Sequence, residues 1–197
     1  MSGSLVRHGE STVPIKHTHV ILQLQGGAEL HYTCPRRFGR WVMCDGTDLR
    51  RAMATRLGVD ALDPSLDPPA LQERLVGRGA PIKARLLQQN LVAGLGNIYV
   101  DEVLFRAGIH PERKAVSLAA GEWDSLHESV RTVLREAIEH RGTTFSSYRD
   151  GDGRTGSNQY RLAVYGRRGR RCPRCGERVK RIEVCGRGTH FCPSCQE

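Results

Sequence analysis

Four cysteines near the end of the chain, Cys172, Cys175, Cys192 and Cys195, form CPRC and CPSC separated by sixteen residues. Two residues between cysteines let both thiolates of one turn face a tetrahedral ion, and a second such pair closes the shell. With sulfur at all four positions no place is left for water or substrate, so the reading is one structural Zn2+ and not a catalytic one. An iron–sulfur cluster and a redox dithiol are the alternatives the spacing leaves open. Cys185 lies between the pairs and His190 two residues from a ligand, and neither is needed for the shell. Cys34 and Cys44 read as ordinary small side chains.

What such an ion would hold up is a short basic hairpin. Between the pairs, "GERVKRIEVCGRGTHF" carries the β-type residues Val179, Ile182 and Val184 and, at the expected tip, Arg187 flanked by glycines. A zinc-clamped hairpin is a rigid way to place one guanidinium against phosphate, and a solvated loop arginine is the plainer alternative. The second informative stretch is "LVAGLGNIYVDEVLFRAGIHP". There Gly94 and Gly96 end one helix, Asn97 is placed to cap the next, and the free amides of that helix start attract an anion. Lys83 and Arg78, just upstream, could serve the same phosphates or simply face water.

These residues need elements to position them. "HVILQL" and "ELHYTC", joined by "QGGA", read as a hairpin, and "GRWVMCDG" as a third strand. From Thr47, a candidate N-cap, Leu49, Met53 and Leu57 recur at helical spacing. "DPSLDPP" breaks that helix, and "ALQERLVGRG", "IKARLLQQNLVAG" and "NIYVDEVLFRAGI" read as further helices. A long amphipathic helix is predicted from Ser117 to His140, with Leu126, Val130, Val133, Leu134, Ala137 and Ile138 on one face. "SSYRDGDGRTGSNQ" is a polar loop and "RLAVYGR" a predicted strand.

The 197 residues suffice for a packed core without disulfides. No apolar stretch approaches membrane-spanning length, and the first residues lack the marks of a signal peptide, so a cytoplasmic address is expected. The formal net charge is +9, and from Arg161 onward ten Lys and Arg face three acids. Such a concentrated basic patch points to a polyanion, most often nucleic acid.

Taken together, "YTCPRRFGRW", "IKARLLQQNLVAGLGNIYVDEVLFRAGIHP", "GTTF…DGDGRTG…LAVYGRRGRRCPRCG" and "RGTHFCPSC" resemble, in order, the bacterial formamidopyrimidine-DNA glycosylases. The resemblance implies an α+β fold: a partial β-sandwich lobe at 1–46, a helix–two-turn–helix lobe at 47–160 with a lesion-covering loop at 143–156, and a C-terminal zinc-finger β-hairpin at 161–197. It implies a base-excision repair glycosylase and abasic-site lyase that bends double-stranded damaged DNA and flips the damaged base out. By position, Met1 matches the methionine that fills the space left by that base. His17, Arg36 and Arg78 match DNA contacts, and Lys83, Asn97 and Arg187 match the phosphate clamp around the lesion. Arg36 with Phe38 matches the pair that wedges the opposite strand. Arg187 carries the one catalytic role that transfers, in the elimination step.

Three positions depart from the family pattern: Arg78 where lysine is more usual, Cys34 where an aspartate is usual and Asn158 where an aromatic residue is usual. The family's nucleophilic N-terminal proline, its glutamate and its strand lysine match positions ahead of Met1, outside these residues. A catalytically impaired, truncated damaged-DNA-binding protein is therefore the alternative function. An RNA-binding zinc ribbon would explain the finger but not the helices. A monomer is expected, with self-association through an uncovered sheet face.

Overall fold

The structure is a computed structural model that describes all residues except Met1, Ser2, Arg40, Thr55, Arg78 and Ser147, together with the side chains of Arg50, Ala52, Met53 and Ala54. In chain order the elements are β1 (Ser4–His8), β2 (Thr18–Gln23), β3 (Glu29–Thr33), α1 (Gly46–Ala54), β4 (Val59–Asp60), α2 (Pro68–Leu75), α3 (Ile82–Leu86), β5 (Val92–Ala93), α4 (Asn97–Ala107), α5 (Ala120–Glu139), β6 (Lys180–Val184) and β7 (Arg187–Phe191). The chain divides into two compact units, Met1–Met43 with Glu136–Arg161, and Cys44–Arg135 with Leu162–Glu197.

The first unit holds an antiparallel sheet in the order β1-β3-β2. The expected hairpin is β2–β3, with Leu22 opposite Leu30, and β1 pairs the other edge of β3 with Val6 opposite His31. Both edges of β3 are thus taken, and the described residues of "GRWVMCDG" form no third strand. Trp41 from that segment instead packs edge-on against Tyr32, with ring centroids 5.3 Å apart. The loop that follows Gly142 in the same unit is fastened at its base. Asn158 Nδ2 donates to Thr143 Oγ1 at 3.0 Å and the Thr144 amide to Gln159 Oε1 at 3.0 Å. The Arg7 amide reaches the Gly151 carbonyl at 2.8 Å, which ties the loop to β1. Asn158 is therefore a buried partner of the loop base.

The second unit is built on one apolar cluster that includes Leu71, Leu75, Leu86, Val100, Leu104 and Leu126. Several sequence expectations change here. The cap of α1 is Asp45, whose carboxylate accepts the Thr47 and Asp48 amides at 3.0 and 2.9 Å, so Thr47 is already inside the helix. Leu49 on that helix and Leu57 after it remain exposed. The helix expected through Gly94 stops at Leu86 and gives way to β5, which pairs in parallel with β4. Gln89 explains the stop: its side chain accepts the Gly94 amide at 3.0 Å and donates to the Leu95 carbonyl at 2.8 Å, satisfying backbone that a helix would have used.

"RLAVYGR" is not a strand. The buried Glu102 carboxylate of α4 accepts the amides of Ala163, Val164 and Tyr165 at 2.7, 2.9 and 2.8 Å, so those donors are spent on a side chain. Burial pushes the Glu102 carboxyl up and the three amides pull it back. β6 and β7 form the predicted antiparallel hairpin, Val184 opposite Arg187. Its two-residue turn is Cys185–Gly186, with φ of 49° and 72°. A turn with both central residues left-handed matches the twist of the strands, and glycine takes one of the two positions without strain. No helix of the described residues is long and apolar enough to cross a membrane.

Candidate metal centre and nucleic-acid interface

The four predicted ligands come together. All four Sγ atoms lie within 4.8 Å of one another, Cys172 to Cys195 at 3.9 Å and Cys175 to Cys192 at 3.5 Å. A tetrahedron with Zn–S bonds of about 2.3 Å has sulfur–sulfur edges of about 3.8 Å, so the donor set fits zinc in both chemistry and size. Each pair sits on a turn closed by its own backbone, the Gly176 amide on the Cys172 carbonyl at 3.0 Å and the Cys195 amide on Cys192 at 3.3 Å. Behind the sulfurs, Phe105 of α4 packs with Val164 and Val179. The Arg174 guanidinium lies 4.7 Å from the Phe105 ring centroid, and its Nη2 donates to the Arg106 carbonyl at 3.2 Å. The metal centre and α4 therefore share one small apolar core.

A buried polar cluster lies where α3, α4 and β7 meet. Lys83 Nζ is 2.5 Å from Asp101 Oδ1, and neither side chain is exposed. The other carboxylate oxygen of Asp101 accepts the His190 amide at 2.7 Å, with the His190 ring Nδ1 3.4 Å away. Lys83 Nζ and Asn97 Nδ2 both point at the Gly188 carbonyl, at 3.4 and 2.9 Å. Arg187, the next residue back, is exposed at the start of β7 beside the Cys185–Gly186 turn, and not at the tip itself as expected. Burial pushes the Lys83 ammonium down from the usual lysine range and Asp101 pulls it back, while the Arg187 charge lowers it further. Burial likewise pushes Asp101 up, and Lys83 holds it down.

Three of the predicted residues, Lys83, Asn97 and Arg187, are thus brought together, but not as expected. Lys83 faces Asp101 and not water. Asn97 does not cap α4: Gly96 holds that position without a side-chain bond, and the Asn97 amide is spent on Gly188. The Asn97 Oδ1 is buried without a hydrogen-bond partner among the described residues. It lies at the first turn of an eleven-residue helix, where backbone amides lack intrahelical acceptors. Those amides make a local field suited to an anion, whereas the Lys83 charge beside them is already balanced by Asp101.

The remaining predicted residues belong to the first unit or lie outside the described residues. His17 is exposed on the turn before β2, with φ of 70°, and its carbonyl accepts the Cys34 amide at 3.0 Å. Arg36 and Phe38 stand on the turn after β3, the guanidinium carbon 5.4 Å from the ring centroid. Phe38 is 73% exposed, an apolar ring held out in solvent. The turn is drawn against Tyr32, whose hydroxyl would collide with a Cβ at Gly39, so only glycine lets the backbone pass there. Met1 and Arg78 lie outside the described residues. Asp101 and His190 join this cluster although no motif marks them as site residues; for Asp101 the signal is an acid four residues after Asn97 on a largely apolar helix, which must face either water or a buried partner.

Three family models match this chain. Residues 1–41 match the model of the formamidopyrimidine-DNA glycosylase N-terminal domain, residues 57–149 that of the formamidopyrimidine-DNA glycosylase H2TH domain, and residues 169–197 that of the zinc finger found in FPG and IleRS. The cofactor is accordingly one structural zinc. The whole chain aligns with the formamidopyrimidine-DNA glycosylase of Symbiobacterium thermophilum at 47% identity over 65% of that relative. It aligns with that of Herpetosiphon aurantiacus at 45% identity over 71%. Among solved structures it is similar over its full length to MutM (Fpg) from Thermus thermophilus, with 44% identity, a TM-score of 0.87 and 73% of that chain covered. Lactococcus lactis Fpg in complex with abasic-site DNA gives 37% identity, a TM-score of 0.88 and 72% coverage.

Proposed function

This chain belongs to the formamidopyrimidine-DNA glycosylase family, and we propose that it recognises damaged duplex DNA, oxidised purines and abasic sites, for base excision and β/δ-elimination. The observation that carries the reading is the convergence of Lys83 and Asn97 on the carbonyl beside Arg187, at the start of α4. Arg187 grips phosphate flanking the lesion, Asn97 joins it through the second hydrogen of the Nδ2 group that Gly188 holds, and Lys83, paired with Asp101 beneath them, steadies the same carbonyl. Charge-assisted bonds from a fixed guanidinium suit phosphate geometry.

In the first unit the exposed Phe38 wedges between bases and Arg36 enters the gap, with His17 on the backbone. Unstacking by an apolar wedge is an established way to kink a duplex. Met1 and Arg78 complete the DNA contacts by their sequence positions, the loop 143–156 covers the extruded base, and Arg187 assists elimination. The domains at 1–46, 47–160 and 161–197, and a cytoplasmic address, form part of the same reading.

The chain works as a monomer on DNA. Exposed Leu5 and Leu22, on the same face of the sheet, are where copies would meet at high concentration.

Borohydride trapping on a duplex with one abasic site tests the activity. A covalent adduct supports the lyase reading. Tight binding to a non-cleavable abasic analogue with no adduct would leave recognition standing and remove catalysis by these residues. Equal affinity for damaged and intact duplex would overturn the reading.

A further inference from the structure

We propose that Asp101 is a positioning residue that locks the finger hairpin onto α4 and so sets where Arg187 points. Its two oxygens do different work: Oδ1 holds the Lys83 ammonium at 2.5 Å, and Oδ2 holds the backbone amide of His190 on β7 at 2.7 Å. Lys83 then returns to the hairpin through the Gly188 carbonyl, where Asn97 also donates. A closed loop results, from Asp101 through Lys83 to Gly188 and back through His190, with Arg187 next to the fastened peptide.

The four sulfurs fix the open ends of β6 and β7, but Arg187 lies at the far end of the hairpin from them. Zinc alone would leave that tip to bend as a two-stranded ribbon, which is marginal by itself. The Asp101 carboxylate supplies the second anchor. Its charge is also required by Lys83, because an ammonium buried without a partner is strongly unfavourable.

The effect on DNA rests on the recognition proposed above, so the first test is made without DNA. In the zinc-loaded chain, Asp101→Asn should raise hydrogen exchange at the His190 amide and its β7 neighbours while zinc stays at one per chain. Unchanged protection with zinc retained would overturn the proposal. If Asp101→Asn loses zinc, the double variant Lys83→Met with Asp101→Asn, a neutral pair of similar shape, should recover it. Zinc loss in both would show that the carboxylate is needed merely to fold the finger, which also overturns a positioning role.

The second test is a double-mutant cycle on a duplex carrying an abasic analogue. Asp101→Asn should weaken binding about tenfold in the parent and less than about twofold where Arg187→Ala has already removed the group it positions. Additive losses would overturn the coupling to Arg187. If the parent chain shows no preference for the damaged duplex, it is the recognition reading that fails, and hydrogen exchange still decides the anchor.

Discussion

Nearby donors favour the thiolate form of Cys34. The Tyr32 hydroxyl donates to its sulfur, and the amides of Phe38, Gly39 and Arg37 add to it, so the thiol is brought from about 9.0 down to about 7 against the opposing effect of burial. The amides among these donors belong to the turn that carries Arg36 and Phe38, while Tyr32 stands on β3, so the charge on one sulfur bears on how firmly that turn is held. The sign follows from linkage: between about 7 and 9 the unfolded chain binds the proton that the folded one has released, and stability rises with pH across that window. It is fully present above the unfolded value and is lost as pH falls through the folded one. Urea midpoints at about pH 6 and about pH 9 should therefore differ more for the parent than for Cys34→Ser, which lacks a titrating group. Equal pH dependence in the two proteins would show that the sulfur is not held as an anion.

The elements show how local signals decide and where they stop deciding. α2 is fixed by its own letters: Asp67 accepts the Ala70 amide at 2.8 Å from the N-cap position, and prolines fill the start, where an amide would have no partner. Asp67→Ala should lower unfolding stability by about 1 kcal/mol, read as a shift in thermal midpoint, while Asp67→Ser should restore most of it. The zinc pairs and the β6–β7 hairpin were equally legible, because cysteine spacing and a two-residue turn act over few residues. α5 also followed its periodicity, ending one residue short of His140 and starting three after Ser117, except that Ile138 of the expected apolar face is exposed near its end. What could not be read depends on distant partners. "RLAVYGR" has strand composition, but its amides go to Glu102, some sixty residues earlier. Lys83 reads as a solvated cation until Asp101 and β7 are placed over it. Asn97 reads as a cap until Gly188 arrives to take its amide. The identities of the candidate residues were in the sequence, and the direction each side chain faces came only with the fold.

At the scale of the molecule, charge and metal are joined in one segment. Ten basic residues against three acids, and all four ligand thiols, lie within 161–197, so the ion that folds the finger also arranges most of the net positive charge. Two consequences separate. Stripping the zinc with a chelator should unfold the finger while leaving most helical circular dichroism, because the large cluster around Leu71, Leu104 and Leu126 has its own packing. DNA affinity should fall with it, since arginines on a disordered tail are no longer aimed. Salt then tests how that charge is used in the zinc-loaded chain. Each neutralised phosphate contributes about −0.9 to the slope of log affinity against log salt, so a contact surface of about five phosphates gives a slope between −4 and −5. Arg187→Ala should flatten it by about one. A slope unchanged by that substitution would mean that Arg187 does not touch phosphate, however well it is held. A slope near zero would mean that the net charge of +9 serves only to keep the chain in solution.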